Sequence, residues 1–242
     1  MNIFENVYWY FKNSSFKPRL MDHPRIYIPQ KPRLHLDADF SKSVKWIGIV
    51  EHHTGSYDNP NRLDYEREVR YHTSFRINYK EVASPVKERL PGVQYVLFKN
   101  MWYRKDEYDK YMERKKLGDG KAFEDAWSYA GYHIINEYID NSIRLHWARP
   151  LWVTGAHAGI KGKPYYNLNY IGIATIGNFD KNEVPKDLWD HNLALARTLM
   201  DIYGFPRENV IGHRETYIKL GVPVQKQCPG SKWNMIQFRK EL

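Results

Sequence analysis

A single cysteine stands in this sequence, Cys228 in the segment KQCPG, alongside ten histidines. One thiol cannot form an internal disulfide, so it packs, attacks or binds a metal. Free cysteine is by default a small buried hydrophobe. Here Lys226 lies two residues before it and Pro229 directly after, which places the sulfur in a polar turn rather than on an apolar periodic face. Two histidines stand at the ends of expected strands, His52 in VKWIGIVEHHT and His213 in NVIGH. Imidazole nitrogen and thiolate sulfur suit zinc, and three protein ligands leave a fourth position for water, the arrangement of a catalytic site. Spacing alone does not decide for a metal, because ten histidines make coincidence easy and no compact C-x2-C or H-E-x-x-H signature is present.

These residues need elements to hold them. The segment 45–54 is rich in β-branched residues and apolar on both faces, as for the middle strand of a sheet covered by helices. GYHIINEYID and YIGIATIGNF read as further strands, with VTGAHAGIKGKPYYNLN a loop between them. VPKDLWDHNLALARTLMDIYGF carries apolar residues at Leu188, Trp189, Leu193, Ala196, Leu199, Met200 and Tyr203, with proline near its start and Gly204 as its stop, which predicts an amphipathic helix. A short strand NVIGH follows, and Ser231 is placed to cap a final helix, KWNMIQFRKEL. Two other segments, KDEYDKYMERKKLG and KAFEDAWSYAG, read as helical pieces that stop at a glycine. Residues 1–44 mix aromatic, proline and basic residues without a sustained period, which suggests an extended arm.

Six segments in order, IVEHHTGS, GYHIINE, GAHAGI, YIGIATIGNF, VIGHRE and KQCPG, resemble the zinc N-acetylmuramoyl-L-alanine amidases that share a fold with phage T7 lysozyme and the peptidoglycan recognition proteins. The resemblance covers roughly residues 45–242, with an unmatched insertion at about 60–125 and the unmatched arm at 1–44. It implies an α/β fold with a single mixed central sheet flanked by helices. It also implies a Zn2+ cofactor held by His52, His213 and Cys228. His53 is then no ligand, since neighbouring side chains in a strand point to opposite faces. Tyr132 and Lys226 fall on the family's two catalytic positions, and His157 and Asn169 on positions expected to touch substrate. The chemistry expected is hydrolysis of the amide between N-acetylmuramic acid and L-alanine. Lys226 would face the developing oxyanion, and Tyr132 would orient the water or move a proton to the leaving amine. A non-catalytic peptidoglycan-binding or docking component on the same fold is the alternative.

Local readings stand beside these. An isolated loop histidine such as His157 also reads as simply solvated, asparagine also starts strands for turn reasons, and Arg214 and Glu215 read either as supports of the ligands or as a surface pair. Glu51 stands where an apolar residue is expected, which points to solvent or to the insertion on that face. The tyrosines between 57 and 111 read as the insertion's own core, with a glycan-stacking wall as the alternative.

Composition bounds the setting. A formal charge of +9 attracts polyanions, and peptidoglycan with other anionic wall polymers is the expected partner, since no nucleic-acid-binding module accompanies the charge. No apolar run is long enough to span a membrane. The opening residues lack a secretory signal pattern. The expectation is a phage-type lytic enzyme, made in the cytoplasm and reaching the wall after lysis-linked release or within a phage particle that the arm and insertion attach to.

Overall fold

In the computed structural model, residues 26–27, 45–55, 64–118, 122–139, 142–160 and 162–242 are described. They divide into two units, 1–65 with 131–242, and 66–130. The first carries a six-stranded sheet in the order β1-β9-β8-β10-β2-β11. Its strands are β1 (Ile26–Tyr27), β2 (Gly48–His53), β8 (Ile134–Ile139), β9 (Ser142–Trp147), β10 (Tyr170–Thr175) and β11 (Val210–Gly212). β8 and β9 run antiparallel and every other neighbouring pair runs parallel, so the sheet is mixed as expected. Of the arm 1–44, β1 pairs with β9; the rest lies outside the described residues.

β2 lies between β10 and β11, and the pleat divides its side chains. Ile49 belongs to the main core with Ile171, Ile173 and Val210 on neighbouring strands, under residues of α4 (Lys186–Tyr203) and α6 (Met235–Glu241) such as Leu195, Leu199 and Phe238. Val50 belongs to the opposite face, with Tyr166 of α3 (Tyr165–Asn169), Tyr170 and Ile211. By alternation Glu51 joins the α4 face and His52 the α3 face. Glu51 is fully buried, with neither carboxylate oxygen hydrogen-bonded. It therefore meets neither solvent, one of the two expectations for this face, nor a hydrogen-bonding partner.

Helix α4 matches its predicted span, following Pro185 and ending where Gly204 turns left-handed at φ 70°. Other boundaries differ from expectation. The predicted loop after Val153 contains α3, and His213 opens a helix, α5 (His213–Lys219), rather than closing a strand. Helix α6 is capped by Asn234, whose side chain accepts from Ile236 N and Gln237 N, whereas Ser231 N is bonded to Asp180. Ser231 is thus a turn residue, because Asn234 stands immediately before the first helical residue.

The second unit is built from helix α1 (Asp64–Thr73), a small antiparallel sheet of β3 (Phe75–Ile77), β4 (Lys80–Ala83) and β7 (Phe123–Glu124), the hairpin β5 (Tyr95–Phe98) and β6 (Met101–Arg104), and α2 (Lys105–Leu117). The ring of Phe75 lies against Phe98, Tyr103, Tyr108 and Tyr111, and Tyr103 and Tyr111 are fully buried. These tyrosines are core, not a glycan wall. Of KAFEDAWSYAG, the described residues 122–131 are not helical: Phe123 and Glu124 are drawn into pairing with β3. No described helix is long and apolar enough to cross a membrane.

Candidate active site

His52, on the last turn of pleat in β2, faces the first residue of α5 and the loop after it. Among the described residues, His52, His213 and Cys228 form a group whose ligand atoms all lie within 4.8 Å of one another, and all three are buried. The Cys228 sulfur lies 3.5 Å from His52 Nδ1 and accepts from the His53 amide at 3.3 Å. The ring centroids of His52 and His213 are 4.6 Å apart. His53 points away from this group, its Nδ1 accepting from Phe179 N at 3.1 Å.

The three donors are delivered by separate local devices. Parallel pairing with β10 and β11 fixes His52. His213 is fixed by the start of α5, where the Glu215 carboxylate accepts from Gly212 N at 2.7 Å, an N-terminal contact of the capping-box kind. Glu215 is held in turn by both terminal nitrogens of Arg239, each at 2.8 Å. Cys228 is fixed through Arg214, whose amide donates to Cys228 O at 2.8 Å and whose guanidinium donates to Gly230 O and Trp233 O. Arg214 and Glu215 therefore do not pair with each other. One clamps the cysteine loop and the other anchors the histidine's helix.

Burial dominates the electrostatics. It lowers the pKa of His213 to about 4, with Lys226 and His53 adding repulsion, and holds His52 well below the usual histidine range. Both rings are neutral near pH 7 and keep a lone pair. Burial pushes the Cys228 thiol up to about 12, so ionising it requires a cation in the same space. His213 Nε2 is buried without a hydrogen-bond partner. An orphaned imidazole nitrogen beside a second imidazole and a thiol is what a soft or borderline metal ion would complete, and the donor set fits zinc.

Tyr132 stands beside this group, its ring centroid 5.0 Å from that of His52. Lys226 is exposed, yet near enough for its charge to act on His52, His213 and Cys228. The two residues expected to touch substrate have local partners. His157 is 6% exposed, with Nδ1 at 3.0 Å from His52 Nε2 and Nε2 at 3.1 Å from Tyr170 O, so no ring nitrogen is left for a ligand. Asn169 donates its amide to Tyr165 O at 2.8 Å, closing its own short helix. Both carry local hydrogen bonds, as buried or helix-terminal polar groups do. Sequence reasoning passed over Asn167, whose Oδ1 accepts from the amides of His157 at 2.9 Å and Ala158 at 2.7 Å.

A family model described as N-acetylmuramoyl-L-alanine amidase matches residues 42–231. The chain belongs to that family. The amidase match spans His52, Tyr132, His157, His213, Lys226 and Cys228. Among solved structures, the amidase LysC from Clostridium intestinale URNW is 20% identical, with 90% of this chain and 97% of that one covered and a TM-score of 0.45. A mutant endolysin from Bacillus subtilis is 17% identical over 89% and 97% of the two chains, TM-score 0.41. Bumblebee PGRP-SA is 18% identical over 86% and 90%, TM-score 0.42. A search of the curated proteins found no match.

Proposed function

We propose that this chain is a zinc-dependent peptidoglycan hydrolase that cleaves the amide between N-acetylmuramic acid and L-alanine. Membership of the amidase family supports the reaction. The observation that carries the zinc reading is the buried group of His52, His213 and Cys228, with its orphaned His213 Nε2. Zinc bound by these three residues would supply a water of pKa near 7 and a polarised carbonyl. The protein's own groups do the rest. The Tyr132 phenol, beside His52, orients the attacking water or passes a proton to the leaving amine. Lys226, on the loop that carries Cys228, presents a cation to the oxyanion. Arg214 keeps the loop, and with it Lys226, in register with His213.

The net charge of +9 draws the protein to anionic wall polymers. The domain reading is an amidase domain at 45–242 with an insertion at about 60–125 and an arm at 1–44. Arm and insertion are the parts we assign to attachment, with release by lysis or carriage in a phage particle as the route to the wall.

The test is mass spectrometry of peptidoglycan digested with and without a chelator, beside Cys228→Ser. Free stem peptides beginning at L-alanine, lost with the chelator or the variant and restored to the wild type by zinc, are expected. Zinc-loaded protein that sediments with walls but releases nothing would replace hydrolysis with binding.

A further inference from the structure

Directly behind His52, on the side away from Cys228, lies His157, and the contacts of its ring fix which nitrogen of His52 carries a proton. A backbone carbonyl oxygen only accepts hydrogen bonds. His157 Nε2, 3.1 Å from Tyr170 O, must therefore carry the hydrogen. In the neutral ring His157 Nδ1 is then the acceptor, and it lies 3.0 Å from His52 Nε2. His52 accordingly donates through Nε2, and its Nδ1, 3.5 Å from the Cys228 sulfur, is left as a bare lone pair.

The surroundings are built to keep the His157 ring there. A Cβ at Gly172 would come within 2.4 Å of it, and one at Gly155 within 2.5 Å, so both glycines are cut away to seat it. Asn167 Oδ1 accepts from the His157 and Ala158 amides and sets the loop's path. The ring thus has two walls, a backbone anchor and a hydrogen-bond partner at each nitrogen.

We propose that His157 is a positioning residue: by accepting from His52 Nε2–H it holds His52 Nδ1 bare and turned toward Cys228, and so sets the metal affinity of the centre. Its part in affinity rests on the zinc reading above; its hydrogen bond does not. The reasoning is that of an outer partner that fixes a ligating histidine's tautomer and ring orientation, and here the partner is itself an imidazole anchored on a carbonyl.

Two variants of nearly equal shape separate this role from packing. His157→Asn keeps an acceptor near the place of Nδ1, and His157→Leu removes it. Zinc affinity, measured by competition with a chromophoric chelator, is expected to fall about 10–100-fold in His157→Leu and markedly less in His157→Asn, with thermal unfolding of the metal-free proteins checking the fold. A packing role predicts equal losses, or a smaller loss for leucine, and either result overturns the proposal. So do two variants that bind zinc as the wild type does.

A second measurement needs no variant. In the metal-free wild type, nitrogen-15 correlation spectra of the histidine rings are expected to show a hydrogen-bonded proton on His52 Nε2 and none on Nδ1. A proton on His52 Nδ1 overturns the proposal even if both variants fail to fold. A wild type that binds no zinc overturns the zinc reading and the affinity half of this proposal, while the ring-proton spectrum still decides the hydrogen bond.

Discussion

At the scale of single residues, two buried acids dominate the behaviour of the centre with pH. Cys228 is held protonated by burial, while His52 and His213 are already neutral near pH 7. Metal binding must then displace one proton, from the thiol. Zinc affinity is expected to rise about tenfold per pH unit between about pH 6 and 8, and titration calorimetry in two buffers of different ionisation enthalpy should count one proton released. Glu51 works in the opposite sense on stability. Burial raises its carboxyl from 4.5 to about 8, so the folded chain holds that proton more tightly than the unfolded one. The stabilisation is fully present below about pH 4.5 and is lost as pH rises through about 8. Glu51→Gln is therefore expected to stabilise the metal-free protein by about 4 kcal/mol at pH 8 and only about 1 kcal/mol at pH 5, as read from urea unfolding. Residue types alone drew attention to His52, His213 and Cys228, because few side chains can bind a soft metal. They did not reveal the local bonds of His157 and Asn169, because exposure and hydrogen-bond demand belong to the folded chain. Nothing in the spelling of VTGAHAGI says that the histidine will be shut between two glycines.

At the scale of elements, the centre is only as ordered as the two short helices that flank it. Helix α5 presents His213 in its first turn and takes its start from Glu215, which Arg239 of α6 holds. The cap of α6 by Asn234 thus lies upstream of His213 in a chain of contacts. Asn234→Ala is expected to cost about 1 kcal/mol of stability. It should also raise amide hydrogen exchange across both α6 and α5, whereas the same substitution at Ser231 should leave α6 unchanged. Period and punctuation made α4 readable, since proline, an apolar stripe and a terminal glycine all agree. They failed on KAFEDAWSYAG, where strand pairing with β3 outweighs local helical preference. They also placed the α6 cap three residues early, because serine and asparagine are both good caps and only the fold chooses between them.

At the scale of the whole molecule, all three candidate ligands belong to the unit formed by 1–65 with 131–242, and the unit 66–130 has its own core around Phe75. Phe75→Ala should cost about 3–5 kcal/mol in that core. It is expected to hasten exchange and proteolysis within 66–130 while leaving zinc affinity unchanged, which joint measurement on one preparation can check. The strands β2, β8 and β10 were legible because each is spelled as a buried strand, whereas the mixed sheet was implied only by the family resemblance. The internal order of the insertion was not, because its sheet joins segments separated by the hairpin and by α2. The seat of the His157 ring carries a last consequence, in evolutionary terms. A side chain at 155 or 172 excludes the ring; loss of the ring removes the three nearest contacts at Gly172, while a Cβ at Gly155 would still meet His133 at 2.9 Å. Across lineages the histidine should therefore be inherited with both glycines, and after its loss position 172 should relax before position 155.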